Sequence, residues 1–100
     1  MAEKIMNSYE TIFIIDATLE EENVKALQDK FTNLIAANGT VEAIDEWGKR
    51  RLAYEIKDRF EGYYVLVSFK ADGEFPKELD RQYKITDGIL RTIIIRKDEE

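Results

Sequence analysis

Four runs of β-branched and aromatic residues, separated by two stretches of helical periodicity, set the limits on what this 100-residue chain can become. Tyr9-Glu10-Thr11-Ile12-Phe13-Ile14-Ile15 reads as a first strand, closed by Asp16-Ala17-Thr18. Its apolar residues occupy both odd and even positions, so it should be buried on much of both faces. Thr18 and Glu21 have the spacing of a capping box, in which each side chain satisfies the other residue's backbone N–H. Val24, Leu27, Phe31, Leu34 and Ile35 then recur at helical intervals and should pack into the core. Asn38-Gly39 is expected to end that helix with a left-handed residue.

Thr40 to Ile56 predicts a second strand that is long and charged, with Gly48 as a bulge or bend. Such charges suit a sheet edge, where they discourage uncontrolled strand addition. Lys57 to Gly62 is a plausible connection, and Tyr63 to Phe69 a third strand, so the two should form a hairpin. After Ala71 to Phe75, Pro76 fits the first turn of a short helix with Leu79 and Tyr83 on its apolar side and Ile85 a further candidate. Asp87-Gly88 turns the chain into a last strand, Ile89 to Arg96. The order βαββαβ belongs to the α+β class. Two βαβ-like halves with right-handed crossings give a four-stranded antiparallel sheet with both helices on one face, the ferredoxin-like arrangement. Residues 1–100 are about the size of one domain, and a single domain is expected.

The chain has no cysteine and no histidine. That excludes disulfides, thiolate nucleophiles, the Ser/His/Asp and Cys/His constellations and the usual zinc ligands. The acidic residues fall in turns and on polar helix faces, where ionisation is ordinary, and the five glycines are scattered as turn punctuation rather than gathered into a phosphate-binding loop. No catalytic residue, metal ligand or cofactor follows, and no small-molecule substrate. No apolar run approaches the ~20 residues needed to cross a bilayer, so a soluble, cytoplasmic protein without a membrane partner is expected.

Charge is distributed unevenly along a chain of formal net charge −6. Asp16 to Glu46 has a balance of −6, whereas Trp47 to Phe60 has +3 and Arg81 to Lys97 has +4. The middle segment interleaves Lys49, Arg50 and Arg51 with Trp47 and Tyr54, which points to a phosphate-bearing partner held by local clustering rather than by overall charge. Taken alone, each basic run also fits an ordinary solvated face; convergence of the two in the fold is what would make them a site. A second expectation follows from the sheet. Either Tyr64 and Leu66 or Tyr63, Val65 and Val67 must face away from the helices, and Ile12 and Ile14 compete similarly with Phe13 and Ile15, so the uncovered face carries apolar residues and should meet a partner.

Over nearly its whole length the chain resembles bacterial small-subunit ribosomal protein six. The resemblance is carried by Tyr9-Glu10, by Trp47-Gly48-Lys49-Arg50-Arg51-Leu52-Ala53-Tyr54-Glu55-Ile56, by Glu61-Gly62-Tyr63-Tyr64 and by Asp87-Gly88-Ile89-Leu90-Arg91. It implies a ferredoxin-like fold without enzymatic activity that binds small-subunit ribosomal RNA beside ribosomal protein eighteen during assembly of the platform. By the same resemblance, RNA contact falls to Lys49, Arg50, Arg51 and Arg91, with Tyr54 as a stacking or packing group. Trp47, Tyr64 and Leu66 are assigned to the protein partner, because buried apolar and aromatic groups dominate such contacts. Two other readings use the same fold. An RNA-recognition motif would want a basic residue at Glu61 and a small one at Tyr64, and a metabolite-binding regulatory domain or a homodimer through the open sheet would need no basic cluster.

Overall fold

The computed structural model describes residues 6–56 and 59–97, with the side chains of residues 53–56 and 59 outside that description. The elements are β1 (Asn7–Asp16), α1 (Glu21–Asn38), β2 (Gly39–Ile56), β3 (Arg59–Ala71), α2 (Phe75–Lys84) and β4 (Ile89–Arg96). They build one antiparallel sheet in the order β2-β3-β1-β4, the ferredoxin-like α+β arrangement expected from the sequence. Both central strands, β1 and β3, are the most continuous runs of β-branched and aromatic residues.

Register decides which side chains the helices cover. Tyr9, Thr11, Phe13 and Ile15 of β1 lie opposite Phe69, Val67, Val65 and Tyr63 of β3. All but Tyr63 are buried, in a core they share with Val24, Phe31 and Ile35 of α1 and Phe75, Leu79 and Tyr83 of α2. Leu27 and Leu34 pack partly buried against the same cluster. Phe31 and Tyr83 meet at a centroid distance of 4.6 Å, and each lies within 5.6 Å of Phe13, so the two helices and the sheet share one aromatic contact.

One polar chain crosses this core. The Thr11 hydroxyl donates to the Ile93 carbonyl at 3.0 Å and sits 3.1 Å from the Tyr83 hydroxyl. Since Thr11 has a single proton, already given to Ile93, Tyr83 must be the donor of the second bond. The chain Tyr83→Thr11→Ile93 thereby ties α2 through β1 to β4.

Local detail departs from the sequence expectations in four places. Thr18 caps nothing: its amide and hydroxyl both donate to Asp16 Oδ1, and α1 starts only at Glu21, with Glu20 at the cap position and no side-chain bond. The aspartate outcompetes the helix for Thr18 because it offers an acceptor two residues away. Gly39 is extended at φ −170° rather than left-handed; its missing Cβ is needed because the Lys70 carbonyl oxygen would lie 2.0 Å from it, where β2 joins β3. β3 begins at Arg59, so most of the expected connection is strand, and Lys57 and Asp58 lie outside the described residues. Ile85 terminates α2 and is 63% exposed, not part of its apolar side. At the start of α2, Pro76 sits in the first turn as expected, and Asp72 Oδ1 accepts from the Glu74 and Phe75 amides.

Burial pushes the Tyr83 hydroxyl well above its ordinary value of 10.0, against the smaller opposing effect of the Thr11 hydrogen bond. A folded-state value above the unfolded one gives stability that is whole below about pH 10 and is lost as pH rises through the raised value. Tyr83→Phe should cost about 1 kcal/mol at neutral pH, since Thr11 keeps Ile93 as acceptor. It should also remove part of the alkaline loss, narrowing the difference between the two proteins above about pH 10. Urea unfolding at a series of pH values measures both effects.

Candidate functional site

The face opposite the helices can be read row by row from the register. Arg91, Ile14, Tyr64 and Gly48 form one row across β4, β1, β3 and β2; Ile93, Ile12, Leu66 and Asp45 form the next; Ile95, Glu10, Ser68 and Ala43 the third. Tyr64 and Leu66 therefore point away from the helices, together with Ile12 and Ile14. The apolar open face expected from the sequence is present, and its isoleucines on β4 are among the most exposed large apolar side chains described, Ile93 at 44% and Ile95 at 48%.

Two glycines shape one end of this face. Gly48 has φ +80°, a left-handed conformation that side chains resist, and stands at a register break between Glu46 and Gly48. The bulge places Trp47 over the sheet. Its ring stacks on Tyr64 at a centroid distance of 5.9 Å and an interplanar angle of 14°. The indole N–H donates to Asp45 Oδ2 at 3.1 Å, and the Arg50 guanidinium lies 5.9 Å from the indole centroid, within cation–π range. Gly62 serves a different need. A Cβ there would approach Ile14 Cγ2 to 2.3 Å and Leu52 Cδ2 to 3.7 Å. Its absence lets Leu52 and Ile14, each 7% exposed, close over the foot of the hairpin on the side away from the helices.

Between these features runs a groove of about 310 Å³ lined by Ile12, Ile14, Trp47, Tyr64, Arg91 and Ile93. A larger depression of about 450 Å³ lies at the turn between α2 and β4, but polar turn residues dominate it. The groove is the better candidate, since it joins stacked aromatics to aliphatic side chains and a cation. Arg91 stands at its β4 end, about 14 Å from β2 by three strand spacings, and Arg50 caps it over Trp47.

The sequence-derived site is thus brought together in part. Trp47, Tyr64 and Leu66 share the open face with Arg50 and Arg91. Lys49 and Arg51 do not: they pair in register with Tyr63 and Glu61 and turn to the other side of the hairpin, where Lys49 Nζ lies 6.0 Å from the Tyr63 ring. Three consecutive residues on a strand cannot all face one way. The side chain of Tyr54 lies outside the described residues. Asp45, Leu52 and Gly62 were not assigned roles from the sequence; the Trp47 spacing from Asp45, two positions along a strand, is the one signal that would have found Asp45.

These observations define a class: a small α+β sheet protein whose candidate site is an open, aromatic-lined surface flanked by arginines rather than an enclosed cleft. Residues 8–96 match the family model of ribosomal protein S6. The chain is 55% identical over 95 residues to small ribosomal subunit protein bS6 of Clostridium perfringens, covering 94% of this chain and 100% of that protein. It is 52% identical to the same protein of Alkaliphilus oremlandii, with 94% and 100% covered. The crystal structure of 30S ribosomal protein S6 from Thermotoga maritima superposes with a TM-score of 0.87 at 32% identity, covering 93% of this chain and 89% of that one. The chain belongs to the ribosomal protein S6 family. It is accordingly a protein of the small ribosomal subunit, cytoplasmic with the ribosome, in a family of structural proteins not known as enzymes. The alternative of a metabolite-binding regulatory domain or a homodimer on the same fold is not favoured.

Trp47 is the sole tryptophan, so its fluorescence reports the stack directly. Gly48→Ala meets no atom within 4 Å and should cost about 1–2 kcal/mol through its φ alone. Asp45→Ala should leave stability within about 1 kcal/mol while shifting Trp47 emission as the indole loses its acceptor. Unfolding curves and emission spectra of the two variants separate bulge strain from ring positioning.

Proposed function

We propose that the open face of the sheet holds ribosomal protein eighteen while the β2–β3 hairpin and Arg91 hold small-subunit ribosomal RNA. The observation that carries this reading is the row Arg91, Ile14, Tyr64, Gly48, with Trp47 over it: an apolar surface and the cations beside it lie on one face. Ile12, Leu66 and Ile93 offer the partner protein aliphatic area, and the Trp47–Tyr64 stack offers a rigid anchor. Arg50 and Arg91 border this area, where a guanidinium fork can take a phosphate bidentately. Lys49 and Arg51, on the opposite flank of the hairpin, add positive charge to its second side, so RNA would meet the hairpin from both sides. Tyr54 adds a stacking or packing group at the same hairpin.

Arg50→Ala combined with Arg51→Ala should weaken binding to a small-subunit ribosomal RNA fragment and reduce the slope of log K against log salt by roughly two units. A double variant with the slope of the parent protein would discard the RNA assignment. Leu66→Asp, on the open face, should abolish complex formation with ribosomal protein eighteen in gel filtration while the isolated fold stays intact by circular dichroism. A normal complex would refute the assignment of the face.

A further inference from the structure

β4 is one edge of the sheet and β2 the other, and the two edges are built differently. β2 carries three register breaks and the charged residues Glu42, Asp45, Glu46, Lys49, Arg50 and Arg51, the devices that keep an edge from recruiting another strand. β4 has one irregularity at its start and then pairs in unbroken register, Arg91 to Arg96 against Ile14 to Tyr9. Its centre, Thr92-Ile93-Ile94-Ile95, is wholly β-branched and uncharged.

The direction of its main chain follows from two bonds. The Ile93 carbonyl accepts from Thr11, and the Lys97 amide donates to the Ser8 carbonyl at 2.8 Å, so the odd-numbered residues turn their backbone groups toward β1. Thr92 and Ile94 must then direct theirs outward, where the described residues supply no strand. Beside them, on the helix side, a channel of about 400 Å³ runs between β4 and α2, lined by Pro76, Lys77, Asp80, Thr92 and Ile94.

We propose that the outer edge of β4 receives an extended segment of another protein by strand addition, the segment alternating β-branched with acidic residues. Its backbone bonds to Thr92 and Ile94, its β-branched side chains lie beside Ile93 and Ile95, and its acidic side chains enter the channel. The acidic choice follows from charge. The channel itself is lined by two cations, Arg96 of β4 and Lys77 of α2, the latter 3.9 Å from Glu74, and by one acid, Asp80, already paired with Lys84 at 2.9 Å; Arg91 lies on the open face. A second copy of this chain would instead set two cationic strands against each other. The inference uses the outer edge of β4 and borders the open face only at Ile93 and Ile95; it does not rest on the RNA and ribosomal protein eighteen reading.

The test is a titration of the full-length, nitrogen-15-labelled protein with the acetylated peptide Val-Glu-Val-Glu-Val-Glu-Val, followed by amide shifts and hydrogen exchange. Shifts and slowed exchange are expected at Thr92 and Ile94, with none in β2. The counterpart with lysine for glutamate should bind about tenfold more weakly, and a peptide N-methylated at the residues facing β4 should not bind. Thr92→Pro removes an outward N–H without breaking a bond to β1, so it should fold and lose the peptide; if it does not fold, the N-methylated peptide decides. Absence of binding, equal binding of the lysine peptide, or binding that survives N-methylation or Thr92→Pro would overturn the proposal. So would concentration-dependent protection of Thr92 and Ile94 without peptide, which would mean self-pairing.

Discussion

A sheet that is apolar on both faces but covered by helices on only one has to find a second cover, and the rest of this molecule is arranged around that requirement. The helix side is closed in the usual way, by Phe31 and Ile35 from α1 and Leu79 and Tyr83 from α2 against Phe13, Val65 and Val67. The other side is closed at one end only. Leu52 folds over Ile14 at Gly62, and Trp47 lies on Tyr64. Ile12, Leu66, Ile93 and Ile95 are left without a cover of comparable extent among the described residues. Burial of apolar area is the dominant favourable term in both folding and association, so the same residues that make β1 a strong strand also leave its outer face with apolar area to cover.

The partial cover is itself informative about assembly. Trp47 is held by three independent groups: a stacked ring, an accepting carboxylate and a guanidinium. A large aromatic fixed before binding loses little conformational freedom when a partner arrives, which favours affinity without added contact area. Its placement depends on the left-handed Gly48, so a backbone feature of the edge strand controls the geometry of the face. Arg50 and Arg91 border the same apolar area.

The fold was legible because local signals and topology agreed: two helical periodicities, four β-rich runs and a hairpin with a charged outer strand leave few alternatives. β4 and the long β2 had nearly their observed limits in the sequence. The misjudged details were those in which one contact from elsewhere in the fold decides. Gly39 looked like a helix stop, but the Lys70 carbonyl explains it; Thr18 looked like a cap, but Asp16 claims it. The site was legible as a set of residue types and illegible as a geometry. A strand alternates its side chains, and the register breaks in β2 set which of Lys49, Arg50 and Arg51 faces the groove, a result no pattern of charges contains. Ile14 likewise needed the register, and Leu52 needed the close approach that Gly62 permits.

The central claim is that the open face, and not the helix side, is the surface by which this protein joins the small subunit. Methyl-labelled protein observed by NMR, alone and with ribosomal protein eighteen and the RNA fragment, tests it most directly. The expected result is large changes at the Ile12, Leu66 and Ile93 methyls with Val24 and Ile35 nearly unmoved. Changes confined to residues on α1 and α2, with the open-face methyls unaltered, would contradict it.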